Sequence, residues 1–200
     1  MGVKKGLWIA LPVLAIALAA IWSSGLAGIW TEGMASIANK TTEYQANGEL
    51  VEGEYSVTID LSNLSGNIGK ELYNDGVHRI YVSWIDNTGN YGTGGYRIGF
   101  RSSGRYSIKG ATLVSGIEHR TIDDHTFTMN MSAKMTAEYK GKRYACSEFS
   151  TGGLNYKDGD EFGFYLFPSS AYESNEVSLN ETGIVKLTVT NLYKNVWSTK

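Results

Sequence analysis

Phe127-Thr128-Met129-Asn130-Met131-Ser132-Ala133-Lys134-Met135-Thr136-Ala137-Glu138-Tyr139 is the stretch that decides the fold. Phe127, Met129, Met131, Ala133, Met135, Ala137 and Tyr139 share one side. Thr128, Asn130, Ser132, Lys134, Thr136 and Glu138 share the other. A period of two is that of a strand with one face on a core, so Met129, Met131 and Met135 are expected to be buried. At strand rise the stretch spans about 43 Å, about twice a typical strand, so a bend or bulge is expected along it. Gly141 marks a tight turn, after which 143–149 returns as the partner strand.

The same alternation recurs on both sides of this stretch. Tyr55, Val57, Ile59 and Leu61 form one apolar face. His78, Ile80, Val82 and Trp84 form another, within 77–86. Tyr96, Ile98 and Phe100 are expected to face Tyr106 and Ile108 in a hairpin across Ser102-Ser103-Gly104. Residues 162–167 are apolar on both faces and belong inside a sheet. Residues 184–192 supply the last expected strand, with Val185, Leu187 and Val189 inward. Loops rich in Gly, Asn and Asp separate these segments at 62–76, 87–95, 150–159 and 168–180, and 64–73 has room for one short helical turn. Thirteen Tyr, 24 Gly and only 2 Pro fit such a chain. Eight to ten strands in one domain are expected, arranged as an all-β, antiparallel sandwich of Greek-key or jelly-roll type.

The beginning of the chain differs. Lys4 and Lys5 precede an uncharged stretch whose apolar centre runs from Leu7 to Trp22, and small residues follow at Ser23, Ser24, Gly25, Ala27 and Gly28. A positive start, apolar middle and small-residue exit form the signature of a secretory signal, with cleavage expected near Ala27. Two alternatives stay open. One is an uncleaved anchor, although the apolar core is slightly short for a span of about 20 residues and contains Pro12. The other is cleavage after Gly6, leaving a pilin-like assembly helix. In each case the rest of the chain is exported, so a secreted or cell-surface location is expected. The chain then divides into 1–27 as signal or anchor, 28–40 as a donor-strand or linker segment, and 41–200 as the sandwich.

Composition narrows the chemistry. The net charge is −2 and the charges are interspersed, so neither nucleic acid nor a membrane surface is an expected partner. A membrane enters only during export or through an uncleaved anchor. With one cysteine, Cys146, the chain has no internal disulfide, and Cys146 is expected to be a small buried apolar residue. His78 is expected to be a satisfied core or edge histidine. His119 and His125 flank Asp123-Asp124 in a spacing that matches no metal motif, and a solvated turn is the expectation. Asp158-Gly159-Asp160-Glu161 is a turn rather than a calcium site. Tyr91-Gly92-Thr93-Gly94-Gly95-Tyr96 has no helix after it to receive a phosphate. Neither HExxH nor GxSxG occurs. No catalytic residue, metal ligand or cofactor is expected. Four sequons, at Asn39, Asn63, Asn130 and Asn180, make N-glycosylation an expectation where the host carries the machinery.

The order of several short segments resembles a known group. Met1-Gly-Val-Lys-Lys begins the leader, and Trp30 follows the cleavage region. Ala46-Asn47-Gly48-Glu49-Leu50 and Asp60-Leu61-Ser62-Asn63-Leu64-Ser65-Gly66 come next. This resembles the camelysin and TasA-type biofilm-matrix proteins and their archaeal relatives, the bundling pili, over about the first third of the chain. The resemblance implies a jelly-roll domain and extracellular fibres. It also implies a mature N-terminal segment that enters the next subunit's sheet as a strand. A metalloprotease activity is attributed to camelysin, and no zinc motif here carries that over. The odd positions of 28–40, Ile29, Thr31, Gly33, Ala35 and Ile37, offer a mostly small or apolar strand face suited to such donation. The expected function is therefore a structural subunit of a homopolymeric filament, and the expected partners are copies of itself. The alternative is a monomeric or anchored binding module for carbohydrate, using Trp84, Tyr91 and Tyr96. An exported hydrolase has the least support.

Overall fold

A computed structural model of the chain describes residues 26–123 and 126–200, together with Val13, Ala15, Ile16, Ala19 and Trp22. The signal-segment expectation falls largely outside these residues. Among them, no helix is long and apolar enough to cross a membrane.

Within 26–200, two helical stretches, α1 (Leu26–Glu32) and α2 (Met34–Ala38), precede fifteen strands. The strands are β1 (Tyr44–Val51), β2 (Tyr55–Asp60), β3 (Glu71–Asn74), β4 (Arg79–Asn87) and β5 (Tyr96–Ser103). They continue as β6 (Arg105–Ser107), β7 (Gly110–Ser115), β8 (Ile117–Asp123), β9 (Thr126–Met131) and β10 (Lys134–Tyr139). The last five are β11 (Lys142–Cys146), β12 (Glu148–Thr151), β13 (Glu161–Tyr165), β14 (Ile184–Thr190) and β15 (Leu192–Thr199), with a third helix, α3 (Ser169–Glu173), before β14.

All the strand pairing is antiparallel. One sheet has the order β11-β10-β14-β2 and a second β12-β13-β5-β4-β3. Their apolar faces share one core: Val57, Ile59, Met135, Ala137, Val185, Leu187 and Val189 from the first, and Ile80, Val82, Ile98, Phe100, Phe162 and Phe164 from the second. The chain is thus all-β and sandwich-like. A third sheet, β1-β15-β7-β6, and the separate hairpin β8-β9 extend it at one end. Met34, Ile37 and Ala38 form a second apolar cluster with Tyr44, Ala111, Leu113 and Trp197 of that third sheet.

Several expected strands are broken where the chain passes from one sheet to another. The stretch 127–139 divides at Ser132-Ala133, whose two amides both donate to the Gly116 carbonyl at 2.9 and 3.0 Å. Its second half keeps the expected face, with Ala133, Met135, Ala137 and Tyr139 buried. In the first half Met129 and Met131 are half-buried and Phe127 is exposed, because β9 pairs with β8 alone instead of lying in the sandwich. The expected hairpin at Ser102-Ser103-Gly104 is also corrected. β5 lies between β4 and β13, whereas β6 turns back onto β7. Gly104 passes the chain between the sheets, and a Cβ there would lie 2.1 Å from the Thr112 carbonyl oxygen. The last expected strand breaks at Asn191, whose φ is 57°, and β15 continues beyond it. The Lys140-Gly141 turn, both residues at positive φ, joins β10 to β11 as expected.

Candidate assembly site at the N-terminal segment

In the lone chain the segment 28–40 is helical over most of its length, whereas the strand expected from its odd positions concerns the segment in a neighbouring copy. α1 ends at Gly33, whose amide still bonds the Ile29 carbonyl at 3.0 Å. Gly33 has a φ of 64° and lies against Lys157: an added Cβ would lie 2.0 Å from that residue's carbonyl oxygen. Only glycine meets both demands without strain. The chain then reverses into α2, and the Met34 amide donates to the Lys157 carbonyl at 2.8 Å. Gly28 and Ser36 meet where the two helices touch.

Helical geometry redistributes the five expected donor positions. Ile37 is fully buried on the third sheet, and Ile29 packs beside it, half-buried. Gly33 is buried against Lys157, Ala35 lines a cleft, and Thr31 is exposed with its hydroxyl donating to the Ala27 carbonyl at 2.9 Å. The five do not share one face. Met34 and Ala38, on the other strand parity, are buried with Ile37 instead. Their i, i+3, i+4 spacing is the helical signal the sequence carried for this seat. Burying Met34 and Ile37 contributes roughly 1.5–3 kcal/mol each. Trp30 and Leu26 stand exposed on α1.

The cleft has a volume of about 200 Å³ and lies between α2, the β8-β9 hairpin and residues 153–155. His119 faces it from β8 and anchors a buried polar cluster on its inner side. Asp160 is fully buried, and one carboxylate oxygen lies 2.6 Å from His119 Nε2 and accepts from Ser115 Oγ at 2.7 Å. Arg101 is buried beside it, paired with Asp158, with its guanidinium carbon 3.7 Å from the centre of the Tyr156 ring. This cluster holds the 157–160 loop that carries the Lys157 carbonyl, so it supports the seat of α2. Ser115, His119 and Asp160 have the residue types of a hydrolytic triad. Here serine and histidine both bond the aspartate, a structural anchor and not an activated nucleophile.

The other candidate residues can be placed as well. His78 is buried between Asp75 Oδ2 at 2.8 Å and Thr112 Oγ1 at 2.9 Å, as a satisfied histidine. Asp158, Asp160 and Glu161 do not converge: Glu161 instead accepts from Trp84 Nε1 at 2.7 Å. Asp124 and His125 lie outside the described residues, so the histidine–aspartate pairing around them does too. Among the described residues, no group of three or more His, Cys, Asp or Glu side chains is placed to hold a metal. Cys146 is half-buried against the core, and burial pushes its thiol up to about 12. Asn39, Asn63, Asn130 and Asn180 are all exposed. Comparison with protein-family models, curated proteins and solved structures found no match.

Proposed function

We propose that this chain is a structural subunit of an extracellular filament, a pilus or biofilm-matrix fibre, in which the 28–40 segment of one copy enters the next. One observation carries the reading. The second apolar cluster is filled from outside the sheets, by Met34, Ile37 and Ala38. Without them the third sheet has an open trough at Ala111, Leu113 and Trp197. A trough filled by a segment of one chain can be filled by the same segment of another, and head-to-tail exchange of this kind grows an open filament where the rotation between copies does not close a ring. Apolar contacts in the trough supply the adhesion without a disulfide.

The jelly-roll connectivity, export through 1–27 and glycans on the exposed sequons belong to the same proposal. So does the absence of an enzymatic role, for which the His119–Asp160 cluster speaks as a buried anchor. The carbohydrate-module alternative draws less support from its three aromatic residues. Tyr96 is buried, with its hydroxyl on the Leu179 and Glu181 carbonyls, and the indole N–H of Trp84 is held by Glu161. Tyr91 is exposed but stacks on Tyr172, with ring centres 6.3 Å apart.

Deleting residues 28–38 tests the proposal. The variant is expected to remain a β-rich monomer that does not pellet, and a free peptide of that segment is expected to raise its melting temperature. Fibres formed normally by the deletion variant would reject the proposal.

A further inference from the structure

We propose that the cleft between α2, the β8-β9 hairpin and residues 153–155 is a binding site for one uncharged sugar ring. The site stands apart from the filament reading, since the lone chain forms it. Its chemistry starts from what the lining side chains leave unused. Asn39, just after α2, and Asn155 both line the cleft and are exposed. Among the described residues, neither carboxamide has a hydrogen-bond partner, and the same holds for the hydroxyls of Thr121 on β8 and Thr128 on β9. A carboxamide and a hydroxyl each offer donor and acceptor. Four such groups around one cleft suit a ligand whose own groups do both, as sugar hydroxyls do.

Charge points the same way. No carboxylate is among the described residues that line the cleft. Its two basic side chains are already answered: Arg120 Nε pairs with Glu118 Oε1 at 2.5 Å, and His119 Nε2 with Asp160 Oδ2 at 2.6 Å. An ionic ligand would find no free countercharge, and taking a charge out of water without one is costly. A neutral ligand leaves both pairs in place. The shape agrees as well. Phe127 lines the cleft with 56 % of its surface exposed, and Met129 follows on the same side of β9. An apolar wall with a few polar groups is the usual make-up of a small-molecule site, and a phenyl ring left in the open suits the C–H face of a pyranose. A cavity of about 150 Å³ holds one benzene ring, so the volume of about 200 Å³ here takes one sugar ring, with any further sugars outside. The His119 ring is fixed in advance by Asp160, which is fully buried and also accepts from Ser115 Oγ at 2.7 Å. A lining group locked in this way is not ordered at the ligand's expense.

Saturation-transfer-difference NMR on the full chain tests this. Glucose, galactose, mannose and N-acetylglucosamine are the uncharged probes, and glucuronate and benzoate the charged ones. Asn39 heads a sequon, so the protein is made in a host without N-glycosylation, which leaves its carboxamide free. We expect transfer to the ring C–H protons of at least one uncharged sugar. Phe127→Ala is expected to raise the Kd of that sugar about tenfold or more, and Asn155→Ala about threefold to tenfold. Both side chains are exposed, so an unchanged melting temperature assigns the loss to the site and not to the fold. Transfer to none of the four uncharged sugars would overturn the proposal, and so would a sugar bound equally well by Phe127→Ala. Tighter binding of glucuronate or benzoate than of every uncharged sugar would overturn it in favour of an anion site at Arg120. None of these outcomes depends on whether fibres form.

Discussion

Asn67, a fully buried residue in the Ser65–Asn67 3-10 turn, shows how a single side chain organises a loop. Its amide nitrogen donates to the carbonyls of Asp60, Asn63 and Leu64 at 2.8, 2.9 and 3.1 Å. Its amide oxygen accepts from the Asp60 amide at 2.9 Å and from Lys70 Nζ at 2.8 Å. Each buried group left unpaired costs about 1–3 kcal/mol, so Asn67→Ala is expected to lose about 3 kcal/mol or more in urea denaturation. A loss below about 1 kcal/mol would show that the loop re-pairs without it. Glu181 contributes to the acid limb. Burial works to raise its carboxyl pKa, but hydrogen bonds from Lys140 Nζ, Tyr139 and the Ser178 amide outweigh it and hold the group at about 2. A depressed carboxyl stabilises the fold fully above its unfolded value and loses that contribution as pH falls. The window here runs from about 4.5 down to about 2. Glu181→Gln should flatten stability across that window, by about 1 kcal/mol because Lys140 stands in water. An unaltered pH profile of melting temperature would contradict the assignment. Neither residue is legible in the sequence, because both act on backbone and on side chains brought near only by the fold. His78 is legible, since its strand parity already points inward.

The break in 127–139 matters most among the elements. The alternation stays in phase from Phe127 to Tyr139, so no change of period marks the point where the chain leaves one sheet for another. What divides it is the Gly116 carbonyl, more than ten residues upstream, which takes both the Ser132 and the Ala133 amides. Met135, buried to 2 % exposure, and Met131, half-buried, therefore separate energetically. Met135→Ala is expected to cost about 2–5 kcal/mol and Met131→Ala about 1 kcal/mol. Both methionines touch the larger core, and equal losses in denaturant titration would mean that Met131 is buried as deeply as Met135. β1 is hidden in the sequence for a related reason: between its ends it buries no side chain, so its pairing with β15 leaves no apolar alternation to read. In the N-terminal segment the period itself is ambiguous. Ile29, Gly33 and Ile37 fit the odd positions of a strand and equally a spacing of four, and Gly33 against Lys157 decides for helices in the lone chain.

At the scale of the molecule, two cores have different dependence on the chain's beginning. The larger one is closed by the two sheets that sandwich it, and its strands are mostly readable from alternating residues between Tyr55 and Val189. The smaller one draws Met34, Ile37 and Ala38 from outside the sheets. Its existence is not readable, because it depends on which sheet face the early segment meets. That asymmetry is the physical content of the filament proposal: one core is closed by the two sheets, and the other is filled by a segment from outside them. Negative-stain electron microscopy of the purified full chain, beside the Ile37→Asp variant, tests it most directly. Continuous fibres from the wild-type chain, and dispersed monomers from Ile37→Asp with the β-sheet signal of the larger core retained, are the expected result. Wild-type protein that stays monomeric at every concentration, or Ile37→Asp protein that forms the same fibres, would contradict the account.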